Sequence, residues 1–255
     1  MQSLEAELER ARTLSVDELA DAIESIGFEC TRCGACCTGH GDEEHTATVF
    51  PDEVRELTDA DTGSTADDDR SDDSSTADRK WRDVARPMPY GLEETGDEPH
   101  GETFEWALQT DGCGDCVFYE EDETGTGACV AHEDRPLICR TYPFSVALAG
   151  TSQPMGEAVD SVSLGAQPDA DSEDGDANGG DGVVRAHECE GLGRDISRQD
   201  AEELAGALKE RAIRELEEAI AVRDEYEPAT PGPGEVVVHD SEGTKRIDGT
   251  PIDDA

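Results

Sequence analysis

Apolar positions along the chain form two helical stripes, separated by a long middle region of short and irregular apolar runs. The first stripe lies in SVDELADAIESIGF, where Val16, Leu19, Ala20, Ile23 and Ile26 share one face at helical spacing. Ser15 and Glu18 stand ahead of it at capping-box spacing, and Gly27 follows as a stop. Residues 1–27 are therefore expected to be helical and to deliver the chain to Cys30. The second stripe, Ala201, Leu204, Leu208, Ala212, Leu216 and Ala219, predicts an amphipathic helix over about 198–224 that packs on the core. Between the stripes, TATVF reads as a short strand, and PDEVREL as a helix start with Pro51 in the first turn and acids where the dipole favours them. ETFEWALQT and GVVRAHECEG read as further strands.

Two polar stretches interrupt this pattern. Residues 60–79, ADTGSTADDDRSDDSSTADR, hold no large apolar side chain, so they cannot bury enough surface to offset the entropy of ordering. Residues 167–182, QPDADSEDGDANGGDG, have the same character; their Asp-Gly spacing departs from that of a calcium-binding loop. Both are expected to be disordered acidic insertions. From about 226 the chain is rich in Pro, Gly and Asp and reads as a flexible tail over 226–255. No internal repeat is present. The expected architecture is α+β: a small, metal-stabilised, cysteine-rich domain over 28–225, with flanking amphipathic helices and long disordered acidic insertions.

Charge narrows the function classes. The 255 residues carry 64 acidic against 20 basic side chains, a formal net charge of −44, and only 4% of them are aromatic. Such a field repels DNA, RNA and anionic lipid, which excludes a nucleic-acid binder and points away from a membrane partner. The charge is spread along the whole length, as in proteins of a very salty, halophilic cytoplasm whose cations screen self-repulsion. The N-terminal segment has no apolar leader-like run, and no stretch approaches the roughly 18 apolar residues of a membrane span. A cytoplasmic protein is expected. In a reducing compartment, nine cysteines at short spacings point to metal chemistry rather than disulfides.

Four of those cysteines, Cys30, Cys33, Cys36 and Cys37, fall in FECTRCGACC. The first three match the opening ligands of a bacterial ferredoxin run, in which a tight loop folds thiolates around one centre. The closing x3-Cys-Pro is absent, and Cys37 follows Cys36 directly. Neighbouring side chains tend to diverge, so Cys37 is expected to serve a second centre or to reach a distant sulfur. Cys113, Cys116, Cys129, Cys139 and Cys189 all lie outside the acidic insertions, and eight thiolates would fill two four-ligand sites with one cysteine left over. Sulfur coordination suits zinc or an iron–sulfur centre and disfavours magnesium or calcium. The run at 30–36 leans toward iron, whereas Cys113 and Cys116 form a zinc-like hook. Against both stands the reading of the thiols as small buried hydrophobes, which the fixed short spacings at 30–37 oppose. His40, His45, His132 and His187 are candidate nitrogen donors. No phosphate-binding or dinucleotide glycine motif is present.

Three pieces in order, CTRCGACC, CVFYEEDETGTGACVAHEDRPLICRTYPF and CEGLG, resemble the YkgJ-type CxxCxxCC cysteine-cluster family, described as a zinc- or iron-chelating domain. The resemblance covers roughly residues 26–195. It implies that the metal-associated thiols are Cys30, Cys33, Cys36, Cys37, Cys116, Cys129, Cys139 and Cys189, with iron (also as an iron–sulfur cluster) or zinc as the bound group. Cys113 has no counterpart in the family, and Glu190 stands where the family has proline. Arg135 and Arg140 flank Cys139, where cationic side chains would lower thiol pKa values and offset thiolate charge, or else pair with surplus carboxylates. Tyr142 and Phe144 are expected in the wall of the core. The same resemblance extends to flagellin lysine N-methylases, which makes a cluster-dependent protein-lysine N-methylase an alternative to simple metal binding. A third reading is a scaffold in which zinc replaces a core that so polar a chain cannot build.

Overall fold

The computed structural model of the chain describes residues 3–39, 45–60, 79–94, 99–148, 155, 157–165 and 182–252. In order these form α1 (Leu4–Thr13), α2 (Val16–Ile26), β1 (Thr48–Val49), α3 (Pro51–Asp59), α4 (Trp81–Val84), β2 (Ala85–Pro87) and β3 (Leu92–Glu94). There follow β4 (Pro99–Thr103), β5 (Trp106–Leu108), β6 (Tyr119–Glu121), β7 (Gly127–Cys129), α5 (Leu137–Thr141) and β8 (Phe144–Ala147). The last are β9 (Ala158–Leu164), β10 (Gly182–His187), α6 (Arg198–Glu225), β11 (Val236–Asp240) and β12 (Gly243–Arg246). The insertions expected at 60–79 and 167–182 fall almost wholly outside the described residues, and so does His40. Among the described residues no helix is long and apolar enough to cross a membrane.

Helices and sheets are mixed, as expected, but the single domain expected from the sequence becomes two compact units: Met1–Thr31 with Leu137–Ile220, and Arg32–Pro136 with Ala221–Ala255. In the first unit the caps act as the sequence prescribes. The Ser15 hydroxyl accepts the Glu18 N–H at 3.3 Å, satisfying a donor that the first turn of α2 would otherwise leave free. Ser15→Ala is expected to cost about 1 kcal/mol, read from the midpoint of chemical denaturation. Leu19, Ala20 and Ile23 of α2 are fully buried in one apolar cluster with Ala201, Ala205, Leu208, Ala212 and Leu216 of α6. Ala219, counted in the predicted stripe, is exposed because it lies beyond the last buried turn of α6. The antiparallel sheet β8–β10–β9 completes this core, with Val184 opposite both Val146 and Val162. Phe144 meets Phe28 edge-on at 5.8 Å, so it is core wall as expected. Arg211 is buried within the α6 stripe, where it pairs with Glu215 at 2.7 Å and donates to the Thr141 hydroxyl of α5 at 3.0 Å.

The second unit holds two larger pieces of sheet, β1–β5–β2 and β12–β11–β4–β3, and the two-stranded hairpin β6–β7. Its core includes Val54, Leu57, Val84, Trp106 and Leu108. The flexible tail expected over 226–255 is corrected here. Residues Val236–Asp240 are entirely buried as β11, which pairs parallel to β4 with Val237 opposite Glu102 and antiparallel to β12. Three consecutive valines fit a strand covered on both faces, and the Pro- and Gly-rich residues only form the approach to it. A buried ion pair closes the turn, with Lys245 Nζ 2.8 Å from Asp240 Oδ2, the same oxygen that accepts the Trp106 indole N–H at 2.8 Å.

Candidate metal centre

Residues 34–37 form a tight turn in which the Cys37 N–H donates to the Gly34 carbonyl at 2.7 Å. Gly34 has φ +78°, and a Cβ there would stand 2.2 Å from the Tyr119 hydroxyl, so the turn lies directly on the β6–β7 hairpin. Gly34→Ala is expected to destabilise the second unit by about 1–3 kcal/mol, through left-handed strain plus displacement of Tyr119; thermal unfolding with and without added zinc would measure it. Tyr119 is in turn paired across the hairpin with Cys129, and the Gly127 N–H donates to the Arg32 carbonyl at 2.9 Å. From the other side the Cys116 N–H donates to the Cys37 carbonyl at 2.8 Å. Main-chain hydrogen bonds thus draw the turn, the 111–116 loop and the hairpin together, and with them Cys36, Cys37, Cys116 and Cys129.

The loop that carries Cys116 is itself shaped by carboxylates. Asp111 Oδ1 accepts the N–H groups of Cys113 and Asp115 at 2.7 and 3.1 Å, and Asp115 Oδ1 accepts the Gly39 N–H at 2.9 Å. This geometry distinguishes the two members of the Cys113-x2-Cys116 hook: Cys113 is exposed, whereas Cys116 is buried and bonded to the cysteine turn.

The sulfurs of Cys36 and Cys37 lie 3.8 Å apart. The expectation that adjacent side chains would diverge is therefore corrected, because the turn rotates both thiols to one side. Their hydrogen bond is the largest influence on Cys36, and with the positive charge of Arg135 it brings that thiol down to about 7 even though neighbouring atoms partly desolvate it. Burial acts the other way on Cys116, pushing it up to about 11, and also raises Cys129. Cys116 feels the charges of Cys129 and Cys36, and Cys129 feels those of Arg135 and Cys36, which places these groups in mutual electrostatic reach. Arg135 is anchored by donating Nε–H to the His132 carbonyl at 3.0 Å, and burial and Arg135 both lower the pKa of His132.

The remaining predicted thiols are distributed differently. Cys33 is exposed in the second unit, while Cys30, Cys139 and Cys189 belong to the first. There, Phe28 bridges Leu192 and the Glu29 N–H donates to the Gly191 carbonyl at 3.0 Å, which lays Cys30 alongside the turn that follows Cys189. Tyr142, just after the Cys139 helix α5, donates its hydroxyl to the Glu188 carbonyl. Among the histidines, the His187 ring meets the Ser145 hydroxyl at 2.8 Å. The His45 ring meets the Cys36 carbonyl at 3.1 Å. Neither the roles of Asp111, Asp115 and Tyr119 nor the direction of Arg135 was legible in the spacing of the cysteines, although the Asp-Gly-Cys-Gly-Asp-Cys string is itself a turn signal.

Among the described residues no three Cys, His, Asp or Glu side chains already stand as a closed metal-binding group. The donor chemistry nonetheless fits a thiophilic ion: the Cys36 thiol is drawn down to about 7, Cys37 is beside it, and two further thiols and a balancing cation are within electrostatic reach. A family model described as "CxxCxxCC: Putative zinc- or iron-chelating domain" matches residues 29–164, just over half of the chain. The chain belongs to the CxxCxxCC family. The matched span takes in Cys30 through Cys139, and Cys189 lies beyond it. No curated protein and no solved structure matches the chain.

Proposed function

We propose that this CxxCxxCC protein chelates a single zinc or iron ion through Cys36, Cys37, Cys116 and Cys129, and that Cys30, Cys139 and Cys189 supply a separate set of donors in the first unit. The observation that carries the reading is the Cys36–Cys37 sulfur separation of 3.8 Å. Four sulfurs at about 2.3 Å from one zinc stand about 3.8 Å from each other at the corners of a tetrahedron. Thiolates that each bind a different iron of a cubane instead splay outward, so the pair favours one ion over a cluster. The bound ion would supply charge to hold the thiolates deprotonated and to tie loop 111–116 to the hairpin. That tie also supports a structural role, since β6 and β7 are only three residues long each.

Purification without oxygen, followed by elemental analysis, acid-labile sulfide determination and visible absorption, tests this. The expected result is stoichiometric zinc or iron with no sulfide. Protein free of both metals, or iron accompanied by equimolar sulfide, would overturn it. Proton linkage provides a second check. Cys116 and Cys129 have raised pKa values and must lose protons on binding, while Cys36 is increasingly protonated below about 7. Metal affinity is expected to rise with pH and to fall steeply below about 7, with protons released on metal uptake as measured by calorimetry in buffers of different ionisation enthalpy.

A further inference from the structure

Both carbonyls of the Cys36–Cys37 pair are occupied, one by each of two partners: the Cys37 oxygen accepts the Cys116 N–H at 2.8 Å, and the Cys36 oxygen meets His45 Nε2 at 3.1 Å. A carbonyl has no proton to give, so His45 must be the donor and its Nε2 carries the hydrogen. The His45 residue is buried, with 8% of its surface exposed, and its backbone is clamped on both sides. Its N–H donates to the Gly114 carbonyl at 2.9 Å, and its own carbonyl accepts Arg86 Nη2 at 2.8 Å. Gly114 lies in the loop that ends at Cys116. One residue therefore grips both thiol-bearing segments, the cysteine turn through its ring and the 111–116 loop through its main chain.

We propose that His45 is a positioning residue for the vicinal thiol pair, holding the Cys36 peptide so that both sulfurs face one ion. The inference rests on the chelation proposed above. His45, which the sequence offers only as a nitrogen donor, thereby fixes the orientation of the groups that bind through the ring nitrogen that carries the proton. Loss of a partner that orients a metal ligand typically costs about 10- to 100-fold in affinity.

The test uses the full chain loaded with zinc and follows metal release to a chromogenic chelator. His45→Leu, which removes the donor, is expected to speed release about 10- to 100-fold at unchanged stoichiometry. His45→Gln, which can return an N–H to the Cys36 carbonyl, is expected to restore a rate within a few-fold of wild type. In the wild-type chain loaded with cadmium-113, nitrogen-15 NMR should show a proton on His45 Nε2 and no coupling of cadmium to that nitrogen. Release from His45→Leu at the wild-type rate, or cadmium coupling to His45 Nε2, would overturn the proposal. The NMR arm decides the matter if His45→Leu does not fold. A wild-type chain that takes up no metal would instead overturn the chelation proposal, and this inference with it.

Discussion

Cys116→Ser should lower metal affinity by more than about 100-fold, beyond the loss expected for any group that merely orients a ligand. Burial holds the Cys116 thiol at about 11, so the free protein keeps it protonated, and only a bound cation would draw it into the thiolate form. A serine hydroxyl is harder, shorter and far less acidic, and a soft ion gains little from it. Cys113→Ser is the internal control, because Cys113 is exposed and its N–H, not its sulfur, is engaged by Asp111. Competition titration of both variants with a zinc indicator is the measurement. Should Cys113→Ser lose the metal while Cys116→Ser retains it, the assignment of donors in the second unit is reversed.

Lys245→Met is expected to destabilise the second unit by about 3–5 kcal/mol. The methionine covers similar area, but it leaves the Asp240 carboxylate, 2% exposed, without its cation. The Trp106 indole and the Glu242 N–H also donate to that carboxylate, at 2.8 and 2.9 Å, and neither carries charge. The double variant Lys245→Met with Asp240→Asn removes the buried charge as well and keeps an acceptor for Trp106, so it should recover a substantial part of the loss. Denaturant unfolding followed by tryptophan fluorescence reports on it directly, since Trp81 and Trp106 pack edge-on at 5.0 Å beside this pair. Equal stability of Lys245→Met and the wild type would show that the ion pair contributes nothing net.

Sequence alone determined the elements whose cause is local. The capping hydroxyl of Ser15 and the apolar faces of α2 and α6 depend on residues three or four apart, so their periodicity is visible in the string and the structure keeps it. The cysteine spacing likewise pointed to the family, whose model is described as a zinc- or iron-chelating domain. What the tertiary structure decided is non-local. The terminal Val236–Asp240 run looked like part of a loose tail because its partner, β4, is more than a hundred residues earlier, and strand pairing leaves no mark in the neighbouring sequence. The division into two units follows from where the chain returns on itself, which no window of residues records. The direction of the Cys36 and Cys37 side chains was decided in the same way. An isolated dipeptide favours divergence, but the turn at Gly34, the bond from Cys116 and the grip of His45 fix the backbone that carries them, and side-chain direction follows the backbone.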